Sequence, residues 1–64
     1  MNQKQRNRIE NALSIVQDII DEEQEKQSNL ECNSMEHLPA YEVICEDLDT
    51  LTELEDLLNT IIYQ

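Results

Sequence analysis

Glycine, phenylalanine and tryptophan are absent from this sequence, and proline occurs once. The apolar residues are almost entirely leucine, isoleucine, valine and alanine, a composition typical of helical bundles rather than of β-sheets. A chain of 64 residues has room for one small domain, and a single core of that size rarely supplies more than roughly 3–5 kcal/mol of net stability. We therefore expect one all-α domain over residues 1–64.

Basic residues and long apolar runs are also scarce. The chain has 15 aspartates and glutamates against four lysines and arginines, and three of those four lie within the first eight residues. Such an acidic chain repels nucleic acid and anionic lipid, so a partner bound by charge would be basic. No stretch approaches the roughly 20 apolar residues that span a membrane, and no apolar segment follows the basic N-terminal residues. These absences predict a cytoplasmic protein.

Two amphipathic helices are expected, over residues 3–27 and 39–62, with a connector over residues 28–38. On one face of each helix, apolar residues recur at helical spacing. They are Ile9, Ala12, Leu13, Val16, Ile19 and Ile20 on the first helix, and Ile44, Leu48, Leu51, Leu54, Leu58, Ile61 and Ile62 on the second. A short connector between two long helices makes them antiparallel neighbours.

The connector contains two signals for the start of the second helix. Pro39 suits a first helical turn, because its φ is fixed and it lacks the N–H group that would have no partner there. Asn33 and Glu36 have the spacing of a capping box, which would add a short turn before Pro39.

Acidic side chains form a row on each predicted helix, opposite the apolar residues. On the second helix the acids are spaced by four, three, four and three residues, so at roughly 100° per residue all five stay within about 40° of one line. The predicted partner-binding residues are Glu42, Glu46, Asp49, Glu53 and Asp56 on the second helix, and Asp18, Asp21, Glu22 and Glu25 on the first. The alternative is that these acids only keep a small bundle soluble.

The predicted apolar faces are wider than one neighbouring helix covers. Ile15 and Leu57 project about 100° from the centres of their faces, and Val43 is a third candidate for a seam with a partner. A second copy would cover this surface, so we expect the hairpin to dimerise into a four-helix bundle. The alternative is that these are isolated exposed aliphatics. Asp47 also falls on the apolar side, either where the helices splay or as a polar contact that fixes the register.

Short motifs along residues 8–62 combine an acid-rich end of the first helix with Leu-Asp and Leu-Glu units on the second. They are Asp21-Glu-Glu-Gln-Glu25, Ser28-Asn-Leu30, Tyr41-Glu42, Leu48-Asp-Thr-Leu51 and Leu54-Glu-Asp-Leu57. This pattern resembles small acidic helical hairpins encoded by bacteriophages and other mobile elements, most of which have no assigned biochemical role. That group has Pro-Glu after its Asn-Leu pair, whereas this chain has Glu31-Cys32. The resemblance implies a helical hairpin acting in a bacterial host cytoplasm.

A second motif, Glu53-Leu-Glu-Asp-Leu-Leu-Asn59, is similar to the Glu-Leu-Asp-x-Leu-Ile-Asn core of the small two-helix phosphatases that act on the sporulation response regulator. Those proteins carry a Ser-Gln pair before the motif, where this chain has Leu51-Thr52. Glu55 stands where they have aspartate. The resemblance implies a regulator of that kind, although leucine and acid alternation on any amphipathic helix produces a similar match.

An enzyme with its own active site is not expected. The chain has one histidine, no glycine-rich phosphate loop and no Glu-x-x-His pair. We expect Cys32 and Cys45 to be free thiols, because nothing indicates secretion. Cys32 and His37 are two candidate metal ligands, fewer than a closed tetrahedral set, so neither a metal nor a cofactor is expected.

The basic N-terminal residues are expected to tie the two helices together. Lys4, Arg6 and Arg8 oppose the dipole of the first helix. In an antiparallel hairpin they lie near the C-terminal end of the second helix, where positive charge is favourable and Asp56 is within reach. A direct contact with nucleic acid is not expected from so acidic a chain.

These patterns lead to three functional hypotheses. In the first, the acidic face binds and inhibits a basic, nucleic-acid-binding host protein by imitating DNA. Its acids recur about every 5 Å, compared with one phosphate per roughly 3.4 Å of each DNA strand. In the second, the chain is a structural or assembly module that binds through its apolar seam. In the third, it is a regulator like the two-helix phosphatases.

Overall fold

The fold is a hairpin of two helices. The computed structural model describes residues 1–63, in which α1 spans Gln3–Cys32 and α2 spans Pro39–Ile62. Residues 1–63 contain no strand. This architecture confirms the all-α fold that the composition and the apolar periodicity predict. No helix of the described residues is long and apolar enough to cross a membrane.

The helices lie antiparallel, in contact at both ends of the hairpin. Arg6 of α1 hydrogen-bonds to Ile62 of α2 at the open end, and Tyr41 of α2 hydrogen-bonds to Glu31 of α1 beside the connector. These two contacts set the register in which each residue of α1 lies beside its counterpart on α2.

α1 is longer than the sequence pattern suggests, because it continues through five residues that we assigned to the connector. Ser28 and Asn29 are weak helix formers, yet neither breaks a helix as proline does. Leu30 is half-buried, and Glu31 accepts the hydrogen bond from Tyr41. Tertiary contacts thus outweigh the local preference, and the connector shrinks to residues 33–38.

The end of α1 is a Schellman motif. The N–H of Ser34 donates to the carbonyl of Glu31 at 3.1 Å, and the N–H of Met35 donates to the carbonyl of Leu30 at 2.7 Å. Together they satisfy carbonyl groups that the end of the helix leaves without partners. The motif requires a left-handed backbone at Ser34, where φ is 57°. Glycine usually occupies this position because it has no Cβ to clash.

The capping box expected at Asn33 and Glu36 does not form. Asn33 ends α1 instead, and its side-chain amide donates to the carbonyl of Asn29 at 2.8 Å. The residue that precedes α2 is Leu38, which makes no side-chain cap, and Pro39 opens the helix. Because Pro39 has no N–H group, the first turn of α2 has one fewer donor to satisfy.

Arg6 provides the expected contact between the basic N-terminal residues and the end of α2. Its Nη1 donates to the carbonyl oxygen of Ile62 at 3.0 Å, in a partly buried position. That carbonyl lies in the last turn of α2, where such groups lack helical partners and carry partial negative charge. Within residues 1–63, no ion pair joins Lys4 or Arg8 to Asp56.

The seam between the helices buries little. Ile20 and Ile62 are its buried residues, at 8% and 9% exposure. The half-buried apolar residues are Ile9, Leu13, Val16, Leu30, Leu38, Ile44, Leu48, Leu51, Leu58 and Ile61. The hairpin measures 48 × 14 × 13 Å, with a Cα radius of gyration of 14.7 Å. A compact domain of this length has a radius near 11 Å, so an elongated surface remains open.

We expect the substitution Ser34→Gly to stabilise the hairpin by about 0.5–1 kcal/mol. It removes a left-handed backbone penalty of about 1–2 kcal/mol, offset in part by the greater freedom of glycine in the unfolded chain. Urea unfolding followed by circular dichroism, at fixed protein concentration, measures the change.

The matched control is Ser28→Gly, which makes the same chemical change inside α1. It should destabilise the chain by about 0.5 kcal/mol, because glycine is a poorer helix former than serine. If both variants are destabilised, the left-handed conformation at Ser34 is not a source of strain.

Candidate interaction surfaces

Five exposed aliphatic side chains lie on one face of the hairpin, called here the apolar face. They are Ile15 and Ile19 on α1 and Val43, Leu54 and Leu57 on α2, between 38% and 61% exposed. Around its own helix, each of these residues lies about 80–140° from the buried isoleucine of that helix, and the direction of rotation along the chain is the same on both helices. When two antiparallel helices contact through one seam, residues at similar rotations from that seam lie on the same face of the hairpin. The two helices therefore present one continuous apolar surface.

A shallow groove crosses the apolar face just on the connector side of the middle of the hairpin. Its lining includes Ile19 and Glu23 from α1, and Asp47, Thr50 and Leu51 from α2. Residues of both helices meet here, as expected if the apolar face is continuous across α1 and α2. Asp47 lies exposed at this groove rather than inside the seam.

A second groove lies toward the N-terminal end of α1. It is lined by Met1, Gln5, Arg8, Ile9 and Ala12. Arg8 lies seven positions before Ile15, and Ala12 lies seven positions before Ile19, a spacing of about two helical turns. This groove therefore continues the same face, with a basic residue in place of an aliphatic one.

The nine acids predicted to bind a partner are all exposed, but they lie on two separate edges of the hairpin. On α2, Glu53 lies about 180° around the helix from buried Ile62, and on α1, Asp18 lies about 160° from Ile20. Since the buried residues face each other across the seam, the two acidic rows point in opposite directions. A single hairpin thus does not join the nine acids into one surface.

The ion pair within residues 1–63 joins Lys26 and Glu23 on α1, with 2.7 Å between Nζ and Oε1. The hydrogen bond to Glu23 and the charge of Glu23 raise the pKa of Lys26, and the charges of Glu22 and Asp47 add to the effect. None of the five acids in the α2 row takes part in an ion pair among the described residues.

A contact beside the connector was missed by the sequence analysis. The phenol of Tyr41 donates to Oε1 of Glu31 at 2.7 Å. This hydrogen bond, followed by partial desolvation and the charge of Glu31, raises the pKa of Tyr41 well above its ordinary value. No local pattern marks the pair, because its members are ten residues apart and one was assigned to the connector.

The cysteines are free thiols in different surroundings. Cys32 is exposed at the end of α1, whereas Cys45 is half-buried and accepts a hydrogen bond from the side-chain amide of Gln27 at 3.3 Å. Within residues 1–63, no three histidine, cysteine or acidic side chains lie close enough together to hold a metal ion.

No protein-family model, curated protein or solved structure matches this chain. The resemblance to phage-encoded hairpins therefore stays a prediction, as does the resemblance to two-helix phosphatases. Of the residues in the Glu53–Asn59 motif, Glu55, Leu58 and Asn59 are half-buried on α2.

We expect the pKa of Tyr41 to fall toward its ordinary value in the variant Glu31→Gln. A Tyr63→Phe background leaves Tyr41 as the remaining tyrosine, so ultraviolet absorbance of tyrosinate reports its titration directly. The folded chain holds the phenol proton more tightly than the unfolded chain. This stabilisation is therefore complete below about pH 10 and is lost as the pH rises further.

The control variant is Glu36→Gln, which removes an exposed connector charge outside this hydrogen bond. It should leave the titration of Tyr41 unchanged. An equal drop in both variants would mean that the overall negative charge, rather than the Glu31 hydrogen bond, raises the pKa.

Proposed function

We propose that this chain is a non-enzymatic protein–protein interaction module that pairs with a second copy through its apolar face, forming a four-helix bundle. The observation that carries the proposal is the exposure of Ile15, Ile19, Val43, Leu54 and Leu57 on one side of the hairpin. Monomeric soluble proteins rarely expose contiguous apolar patches larger than a few hundred Å². A second copy would remove this surface from water and provide the core that one hairpin lacks.

The surface area of the chain supports this pairing. The hairpin exposes 4828 Å², whereas a compact monomer of 7.5 kDa exposes about 4,250 Å². The face itself follows a hairpin 48 Å long and 14 Å wide. Contact along this whole outline would fall within the roughly 600–1,000 Å² per partner that standard stable interfaces bury.

The spacing along the apolar face also favours helix pairing. Arg8, Ala12, Ile15 and Ile19 on α1 follow one another by four, three and four residues. Alternating steps of three and four residues are the coiled-coil repeat, which keeps one stripe against a neighbouring helix at the shallow crossing angles of four-helix bundles. On α1, one row of apolar residues packs against α2 of the same chain, and this second row is available to another copy.

The substitution Leu54→Lys should convert the dimer to a monomer, because it places a charge at the centre of the paired faces. Sedimentation velocity gives the mass, which should fall from about twice the 7.5 kDa of one chain to a single chain. Helical circular dichroism should persist at low temperature, since Leu54 is 41% exposed in the single hairpin.

The matched control is Thr52→Lys, which adds the same charge on the opposite side of α2, where Thr52 is exposed. That variant should remain dimeric. A wild-type chain that sediments as a monomer at tens of micromolar contradicts the proposal.

A second candidate function rests on the acidic row of α2. We propose that Glu42, Glu46, Asp49, Glu53 and Asp56 bind a basic protein surface such as one that contacts nucleic acid. These five side chains are exposed and belong to no ion pair within the described residues. Their charges are therefore available to lysine and arginine of a partner. An assembled dimer would carry two such rows.

The triple variant Glu46→Gln, Asp49→Asn, Glu53→Gln should lose the basic proteins that tagged wild-type chain captures from a bacterial lysate at low salt. Charge-led binding weakens steeply as ionic strength rises, so capture by the wild type should also disappear at high salt. Mass spectrometry of the captured proteins measures both effects.

The matched control changes three α1 acids, Asp18→Asn, Asp21→Asn and Glu25→Gln, and therefore has the same net charge as the first variant. It should retain the capture, because these acids lie on the other edge of the hairpin. Equal losses in the two variants would assign the binding to net charge rather than to the α2 row.

A further inference from the structure

The apolar face carries opposite charges toward its two ends. Arg8 lines the groove at the N-terminal end of α1, and Glu23 and Asp47 line the groove on the connector side of the middle. Ile15, Leu54 and Leu57 of the apolar face lie between these grooves, and Ile19 lines the groove that contains Glu23 and Asp47. At that groove Lys26 pairs with Glu23 and also feels the charges of Glu22 and Asp47, so three acids against one base leave it negative overall.

Two copies that pair face to face through a two-fold axis have two possible orientations, because each contact must occur twice by symmetry. With the axis along the helices, both connectors lie at the same end of the bundle. Glu23 of each copy then lies opposite Asp47 of the other, and like charges meet. With the axis across the helices, the connectors lie at opposite ends. The basic groove of each copy then faces the acidic groove of the other.

We propose that the two copies run in opposite directions, with Arg8 of each copy against the groove of Glu23 and Asp47 of the other. This inference rests on the proposed self-association and specifies its geometry. Exposed ion pairs contribute little affinity, but like charges facing each other are costly, so charge selects the orientation.

The same arrangement places Ile15 and Leu54 of the apolar face at the centre. The midpoint between Arg8 and Glu23 falls beside Ile15, so the Ile15 side chains of the two copies meet at the axis. Ala12 of each copy then lies opposite Ile19 of the other. The Arg6–Ile62 and Glu31–Tyr41 contacts set a hairpin register that brings the leucines of the apolar face beside this centre.

Cys32 provides a direct measurement of orientation, because it is an exposed thiol at the connector end of α1. In a Cys45→Ser variant, a nitroxide label on Cys32 allows the distance between copies to be measured by pulsed electron resonance. Copies in opposite directions hold the labels about 50 Å apart, at 1.5 Å per residue on either side of the axis. Copies in the same direction hold them within roughly 20–30 Å, the width of a bundle.

A distance near 50 Å in a dimeric sample supports the inference. A short distance in a dimeric sample overturns the orientation and leaves the proposed function standing. A monomeric sample, identified by light scattering before labelling, overturns both. The three results are therefore distinguishable.

A charge exchange tests the residues themselves. Arg8→Glu should raise the dimer dissociation constant about tenfold, because it faces acids twice in the symmetric pair. Adding Glu23→Arg should restore the dissociation constant to within a few-fold of the wild type. The control pair, Arg8→Glu with Asp21→Arg, has the same net charge but changes the outer edge of α1, and it should not restore pairing. Equal restoration by both pairs would overturn the inference.

Discussion

The structure depends on a limit of geometry, which is that two helices side by side share only one seam. Each helix has an apolar stripe wider than that seam, so the hairpin buries Ile20 and Ile62 and leaves other aliphatic residues partly or largely in water. The hydrophobic effect that drives folding is therefore only partly used within one chain. Its unused part lies on the apolar face, which a second copy would bury in the pairing that we propose.

The same seam determines where the charge goes. The chain has a formal charge of −11, and close packing of so many like charges would oppose folding. Placing the acidic rows on opposite outer edges separates them by the width of both helices. The few cations are used locally, as Arg6 at the last carbonyl of α2 and Lys26 beside Glu23 show. Repulsion is thus reduced by distance more than by neutralisation.

Apolar periodicity was sufficient to predict two antiparallel helices, because burial on one face of each helix dominates the energetics of so small a chain. The end of α1 was misplaced, since Ser28 and Asn29 resemble a turn until contacts from α2 are known. The Tyr41–Glu31 hydrogen bond has no local signal at all. By contrast, α1 begins with a capping box that does have a local signal. The Asn2 side chain accepts from the N–H of Gln5, and the Gln5 side chain accepts from the N–H of Asn2. The same spacing led us to expect a capping box in the connector. Whether a cap forms there depends on where the helix begins, which spacing alone does not decide.

Because Cys45 is half-buried against Gln27, the reactivity of its thiol depends on how often the two helices separate. A thiol half-buried at the seam reacts with an alkylating reagent more slowly than an exposed one and faster when the helices part, so its modification rate rises with the frequency of that opening. Exposed Cys32 reacts without such opening and supplies the reference rate within the same molecule. The ratio of the two rates measures how often the helices separate near the connector. A contact that holds the helices together would slow the modification of Cys45 without affecting that of Cys32.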